Sequence, residues 1–95
     1  MRLKWTHEAE LEDLPRLYEF LAKVNPRAAG DAIRSLVAAP ELLLMQPKMG
    51  EPLLGYAPRE VRRWFLKNYE IRYELQDDTL IVLRVWHTRE DRSTD

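Results

Sequence analysis

The alternation of apolar and polar residues divides the chain into a helical first half and a strand-rich second half. Between residues 2 and 6, Leu3 and Trp5 alternate with polar residues, which predicts a short strand. A helical stripe follows, formed by Leu11, Leu14, Leu17, Tyr18, Leu21 and Val24. A second stripe is formed by Ala29, Ile33, Leu36, Val37, Leu43 and Leu44. We expect the two helices to form an antiparallel hairpin.

Capping residues and prolines mark the ends of these helices. Thr6 is a good N-cap for the first helix. Pro15 predicts either a kink or a regular helix that begins just before it, with the proline in its first turn. The pair Asn25 and Pro26 predicts the start of the second helix, because asparagine caps well and proline suits the first helical position. Pro40 predicts a kink or a restart.

The second half reads as a loop followed by three strands. Residues 46–58 contain three prolines and two glycines and predict a loop. In residues 69–75 apolar residues alternate with charged ones, as in a half-buried strand. Asp77 and Asp78 predict a hairpin turn before the last strand. The expected fold is α+β, in the order β-α-α-β-β-β, with the two-helix hairpin packed on an antiparallel sheet of about four strands.

The last strand, Leu80 to Trp86, is apolar on both sides except at Arg84, which predicts a central position in the sheet. Strict alternation places Ile81, Leu83 and Val85 against the helices. It assigns seven residues to the opposite face, namely Arg62, Trp64, Arg72, Leu80, Val82, Arg84 and Trp86. A face that mixes arginines with large apolar groups is neither a core nor a solvated surface, so we expect a partner to dock there.

Length and composition limit the class of protein. Ninety-five residues form one domain, residues 1–95. The apolar fraction of 45% and the charged fraction of 33% are typical of a folded globular protein. No apolar run is long enough to cross a bilayer, and the N-terminus lacks the pattern of a signal peptide. We therefore expect a cytoplasmic protein without a membrane partner. The absence of cysteine excludes disulfides and thiolate metal sites.

Charge is polarised although the net charge is only −1. Residues 7–24 hold five acids against two bases, whereas residues 59–72 hold five bases against two acids. A near-neutral chain does not favour general nucleic-acid binding, so a basic patch on the sheet is the feature to explain. His7 and His87 are the only histidines and do not form a ligand pair, so no metal and no cofactor is predicted.

Several motifs in this order resemble the RelE/ParE superfamily, the toxin halves of bacterial type II toxin–antitoxin pairs. The resemblance covers nearly the whole chain. It rests on Asn25-Pro26 followed by Ala28-Ala29, on the Y-x-I-x-Y strand at Tyr69, Ile71 and Tyr73, and on the V-x-H-x-R ending at Val85, His87 and Arg89. It implies a cognate antitoxin as partner.

The resemblance implies one of two activities. RelE-like toxins cleave messenger RNA on the ribosome without a metal, whereas ParE-like toxins inhibit DNA gyrase without a known hydrolytic site. The residues that match the nuclease reading are Glu51, Arg62, Arg72, Arg84 and His87. Glu70 stands where the nuclease subfamily of the YoeB type has arginine, and Thr88 where it has tyrosine. A glutamate opposes the negative charge that develops in phosphodiester cleavage, so a gyrase inhibitor is favoured. An inactive interaction module of the same fold is a third hypothesis.

Each of these residues also has a structural interpretation. His87 is either a general acid or base or a strand-end histidine in a structural hydrogen bond. The arginines either grip a phosphate or an acidic partner, or they pair across strands with Glu60, Glu70 and Glu74. The partner-binding set that we predict is Arg62, Trp64, Arg72, Arg84, Trp86 and Arg89. The polar segment of residues 90–95 is expected to fray in the free protein, with ordering on a partner as the alternative.

Overall fold

The computed structural model describes residues 1–92 and confirms the predicted α+β fold and the order of its elements. The strands are β1 (Arg2–Trp5), β2 (Glu51–Pro52), β3 (Glu60–Leu66), β4 (Tyr69–Gln76) and β5 (Thr79–His87). The helices are α1 (Leu14–Ala22), α2 (Pro26–Ala38) and α3 (Pro40–Met45). None of the helices in residues 1–92 is long and apolar enough to span a membrane.

The sheet differs from the prediction in size and in the direction of one strand. It has five strands in the order β1-β5-β4-β3-β2, rather than about four. The extra strand is β2, a two-residue edge strand that forms within the predicted loop and pairs with Arg62 and Arg63 of β3. The expectation of an entirely antiparallel sheet was wrong, because β1 runs parallel to β5. Alternation of residue type reveals a strand but carries no information on its direction.

The helix boundaries follow the capping residues. The side chain of Asn25 accepts a hydrogen bond from the Ala28 N–H at 3.1 Å, and Pro26 opens α2. Pro40 opens α3, which confirms the predicted restart. Pro15 lies in the first turn of α1, and the turn before it, Ala9–Asp13, is a π-helix. This wider turn shifts the angular position of Asp13 relative to a regular α-helix, with consequences described below.

A β-bulge in β5 reverses the predicted faces of its first half. Tyr73 lies opposite Val82, but Arg72 lies opposite Arg84, so Leu83 is an extra residue. Because the extra residue changes the alternation, Leu80 and Val82 pack in the core with Val85. The prediction that Ile81 and Leu83 face the helices, and that Leu80 and Val82 face away from them, was therefore wrong. The placement of Val85 was correct.

The hydrophobic core lies between the helices and one face of the sheet. Its fully buried side chains include Leu17, Leu36, Leu43, Ile71, Tyr73, Leu80, Val82 and Val85. In β3, Arg62 lies opposite Tyr73 and Trp64 opposite Ile71, so both point to this helix face. Their predicted position on the opposite face was wrong, because the alternation in β3 was assigned to the wrong side. Val61, Arg63 and Phe65 take that side instead.

Tyr73 and Arg62 hold the loop before β2 against the sheet. The Tyr73 hydroxyl donates to the Pro47 carbonyl at 2.6 Å and accepts from the Gly50 N–H at 2.9 Å. The Arg62 guanidinium donates to the carbonyls of Gly50 at 2.7 Å and Lys48 at 3.1 Å. A Cβ atom at position 50 would lie 2.7 Å from the Tyr73 hydroxyl, so only glycine fits this close approach. Arg62 thus has a structural role on the helix face.

Replacing Tyr73 by phenylalanine tests whether its hydroxyl holds the loop against the sheet. Tyr73→Phe leaves a buried N–H and a carbonyl without their partner, and we expect it to lower the free energy of unfolding by about 1–3 kcal/mol. Urea unfolding followed by circular dichroism measures the change. Tyr18→Phe is the matched control, since Tyr18 is 42% exposed on α1. Equal stability of the two variants would show that the hydroxyl of Tyr73 does not hold the loop.

Candidate functional site

The sheet face that points away from the helices, which we call the open face, carries a row of charged residues. Glu51, Arg63, Arg72 and Arg84 occupy directly opposite positions on β2, β3, β4 and β5. Like charges directly opposite each other on a sheet destabilise it unless acids compensate them. The open face is therefore either supplied with internal carboxylates or suited to an anionic partner.

Trp86 lies beside this row and carries three guanidinium groups. The guanidinium carbons of Arg72, Arg84 and Arg92 lie 4.6, 4.8 and 4.5 Å from the centre of its ring system. Such cation–π contacts strengthen when the groups are shielded from water, and Trp86 is only 4% exposed. The ring therefore brings positive charge from two strands and from the C-terminal segment to one place.

Glu70 balances part of the positive charge of the cluster formed by Trp86, Arg72, Arg84 and Arg92. It lies opposite Trp86 and accepts hydrogen bonds from Arg72 at 2.9 Å and from Arg92 at 2.8 Å. The carboxylate is nearly inaccessible, with 2% of the residue exposed. Burial alone raises the pKa of Glu70, but the bonds from Arg92 and Arg72 outweigh it, so the pKa is lowered and the group is ionised near neutrality.

Asp13 compensates the other end of the cluster. Its carboxylate is fully buried and accepts two bonds from Arg84, at 2.9 and 3.2 Å, and one from the Val85 N–H at 2.8 Å. It also accepts from Arg16, one turn further along the helix. The π-helical turn brings Asp13 to the edge of β5, where these donors converge. Several donors of this kind compensate the cost of burying a carboxylate.

Beyond the end of β1, side chains form hydrogen bonds with the backbone groups on the edge of β5. In the described part of the chain, β1 pairs with β5 only as far as Val82. Beyond it, the Val85 carbonyl accepts from Arg16 at 2.8 Å, and the His87 N–H donates to Glu90 at 2.8 Å. Arg16 and Glu90 bind each other through two bonds, at 2.7 and 3.2 Å. The edge is thus closed to further strand pairing.

His87 lies on the other side of the sheet from the arginine row. It faces Tyr69 across β4 and β5, and the rings of Tyr69 and Phe20 lie 5.1 and 5.3 Å away. Its Nδ1 accepts a hydrogen bond from the Arg89 N–H at 3.0 Å. Burial lowers the pKa of His87, and the charge of Arg89 lowers it further. The imidazole is therefore neutral near pH 7.

The structure divides both predicted residue sets between the two faces. On the open face lie Glu51, Arg72, Arg84 and Trp86, while the helix face holds Arg62, Trp64 and His87. Arg89 is exposed just after β5. The predicted nuclease set is therefore not brought together in one place. Of the predicted partner-binding residues, only Arg72, Arg84 and Trp86 lie together.

Sequence reasoning missed several residues of the cluster. Arg63 lies on the same face of β3 as Phe65 by simple alternation. Assigning that face of β3 to the open side of the sheet would have identified it. Asp13 and Arg16 carry no signal, because their positions depend on a π-turn. Glu90 and Arg92 belong to the segment expected to fray, yet both are held by ion pairs, so that prediction was wrong for them. The rest of that segment, residues 93–95, lies outside the described residues.

Metal binding has no support in the described part of the chain. Residues 1–92 contain no group of three or more histidine, cysteine, aspartate or glutamate side chains that could hold a metal ion.

Comparison with known proteins confirms the resemblance to the type II toxins of the RelE/ParE superfamily. A family model described as "ParE toxin of type II toxin-antitoxin system, parDE" matches residues 3–92. The chain therefore belongs to the ParE toxin family. Toxin RelE1 of Caulobacter vibrioides is 36% identical to it over 81 residues, which are 84% of this chain and 86% of that toxin.

A solved structure shares the fold. The structure described as "Chromosomal ParDE TA system from P. aeruginosa" superposes on this chain with a TM-score of 0.74. The superposed region covers 94% of this chain and 97% of that chain. The two sequences are 23% identical, so the likeness concerns the fold alone.

Replacing Asp13 by asparagine tests the carboxylate at the edge of β5. Asp13→Asn keeps the shape but removes the buried charge that binds Arg84 and Arg16, and we expect a loss of about 3 kcal/mol of unfolding free energy. Asp31→Asn is the control, since Asp31 forms an exposed i,i+3 pair with Arg34 and should cost less than about 0.5 kcal/mol. A loss of similar size in both variants would contradict the role of Asp13.

The lowered pKa of His87 predicts a pH dependence of stability. The unfolded chain takes up this proton near the ordinary pKa of 6.5, before the folded protein does. The free energy of unfolding should therefore be highest above that pH and fall as the pH drops through the folded pKa. Urea unfolding of wild type and His87→Gln at about pH 7.5 and about pH 5.5 measures it. An equal decrease in both proteins would contradict the prediction.

Proposed function

We propose that this toxin acts by binding and inhibiting DNA gyrase and that a cognate antitoxin neutralises it. The observation that carries the proposal is the separation of His87 from the arginine row by the sheet. A general acid or base must come within hydrogen-bond reach of the reacting group that the arginines would hold. His87 instead lies between aromatic rings on the helix face and is uncharged near neutrality.

The balance of charge on the open face favours the same proposal. Arg63 is paired with Glu51, Arg72 with Glu70, and Arg84 with Asp13. Phosphodiester cleavage requires positive charge that is directed at the developing negative charge. In this row each guanidinium is already directed at a carboxylate of the same chain. A surface of this kind suits recognition of a protein better than stabilisation of a transition state.

The open face also has the features of an antitoxin-binding surface. Phe65 is 51% exposed and lies 5.5 Å from the guanidinium of Arg63, which gives an apolar anchor beside a cation. An acidic segment of the antitoxin would compete with Glu51 for Arg63 and would extend over Arg72 and Arg84. Large apolar anchors surrounded by charged groups are typical of binding hot spots. The relative of known structure is itself described as part of a ParDE system.

Cleavage of messenger RNA on the ribosome is the second candidate. The direct register of Arg63, Arg72 and Arg84 on three neighbouring strands favours it, because guanidinium groups bind the phosphates of a nucleic-acid backbone well. This candidate requires that the substrate displace the internal carboxylates. It also requires a proton donor other than His87, or a movement of His87 toward the open face.

One set of assays distinguishes the two candidates. The purified toxin should inhibit supercoiling by gyrase and should leave transcripts intact in a translating extract. His87→Gln should retain the inhibition, because His87 lies on the opposite face from the proposed contacts. Transcripts cut within codons, with cutting lost in His87→Gln and supercoiling unaffected, would replace gyrase inhibition by the nuclease function. The absence of both gyrase inhibition and transcript cleavage would identify an inactive interaction module.

A further inference from the structure

A second surface lies at the end of β5, away from the arginine row. It is a groove of about 470 Å³ between the turn of the helical hairpin and the first residues after the strand. We call it the tip groove. Its lining residues are Phe20, Leu21, Lys23, Val24, His87 and Arg89. Among them, His87 reaches the charge network of Asp13 through the bond from its backbone N–H to Glu90.

The tip groove is lined in part by apolar side chains, Phe20, Leu21 and Val24. Val24 stands at its edge and is 90% exposed, an unusual degree for a valine at a tight helix–helix turn. Phe20 contributes its ring, which contacts the neutral imidazole of His87. Solvent-exposed apolar groups that cluster in a concave surface are typical of binding sites for protein segments.

The rim of the tip groove is cationic. Lys23 and Arg89 are both exposed, and no carboxylate is among the lining residues described above. The nearest acid in sequence, Glu90, is directed away, since it binds Arg16 and the His87 N–H. The groove thus combines apolar side chains with two cations, Lys23 and Arg89, that form no ion pair within residues 1–92. On the open face, by contrast, acids of the same chain balance the arginines.

We propose that the tip groove is a docking site for a segment of the cognate antitoxin that inserts an apolar side chain and carries carboxylates on its flanks. Charge complementarity favours this occupant, because Lys23 and Arg89 would pair with the flanking acids. The proposal rests on the proposed function in assuming an antitoxin. It adds a second point of contact on the other side of the sheet from the open face, since Trp86 and His87 are consecutive residues that point to opposite sides.

Isothermal titration with the cognate antitoxin tests the site in the full-length toxin. Val24→Asp places a negative charge among the apolar side chains of the groove, and the double variant Lys23→Glu with Arg89→Glu reverses the charge of its two cations. We expect each to weaken binding at least about tenfold. Lys4→Glu is the matched charge control on β1, and Val24→Ile is the control for shape. Binding within about twofold of wild type in both groove variants would overturn the proposal.

A companion supercoiling assay separates this proposal from the proposed function. If the wild-type toxin does not inhibit gyrase, the proposed function is contradicted. The titration still decides whether the tip groove binds the antitoxin. Loss of inhibition in Val24→Asp with unchanged antitoxin affinity would assign the groove to the target instead. That outcome would overturn the assignment to an antitoxin.

An NMR titration gives a test that needs no antitoxin. Two short synthetic peptides share one leucine-rich centre, with glutamates on the flanks of the first and lysines on the flanks of the second. We expect the glutamate peptide to shift the amide signals of Val24 and Arg89, and the lysine peptide to leave them unchanged. Equal shifts with both peptides, or none with either, would overturn the proposed chemistry of the site.

Discussion

The buried carboxylate of Asp13 is the interaction on which the rest of the site depends. It joins the first helical segment to the edge of β5 through the Val85 N–H and fixes the guanidinium of Arg84 on the open face. Arg16 and Glu90 continue the same edge toward His87. Because a buried charge without partners is costly, this network holds the N-terminal helix, the last strand and the C-terminal segment in one arrangement.

That network also explains why so much positive charge is tolerated on a small sheet. Three guanidinium groups share the ring of Trp86, while Asp13 and Glu70 lie within reach of them and are almost completely buried. The chain therefore combines a net charge of −1 with a cationic sheet. Its open face is organised before any partner arrives, which favours recognition because little side-chain ordering remains to be done on binding.

Most of the fold could be predicted from the sequence, but less of the candidate site. Caps and prolines such as Asn25, Pro26 and Pro40 act locally, so the helices were predicted correctly. Strand faces were harder, because one bulged residue, Leu83, reverses the alternation that assigns residues to the core. The position of Asp13 depends on a π-turn and on where β1 ends, and both result from tertiary packing. Arg92 is brought to Trp86 only by the folding of a segment that shows no pattern.

Binding of the toxin to purified gyrase, measured by titration without DNA or nucleotide, tests most directly the claim that this protein acts by recognition. We expect saturable binding that the cognate antitoxin abolishes and that Arg63→Glu on the open face weakens. Absence of binding to gyrase, together with cleavage of messenger RNA on translating ribosomes, would contradict it. The balanced arginine row would then have to be understood as a nuclease site whose carboxylates move aside for RNA.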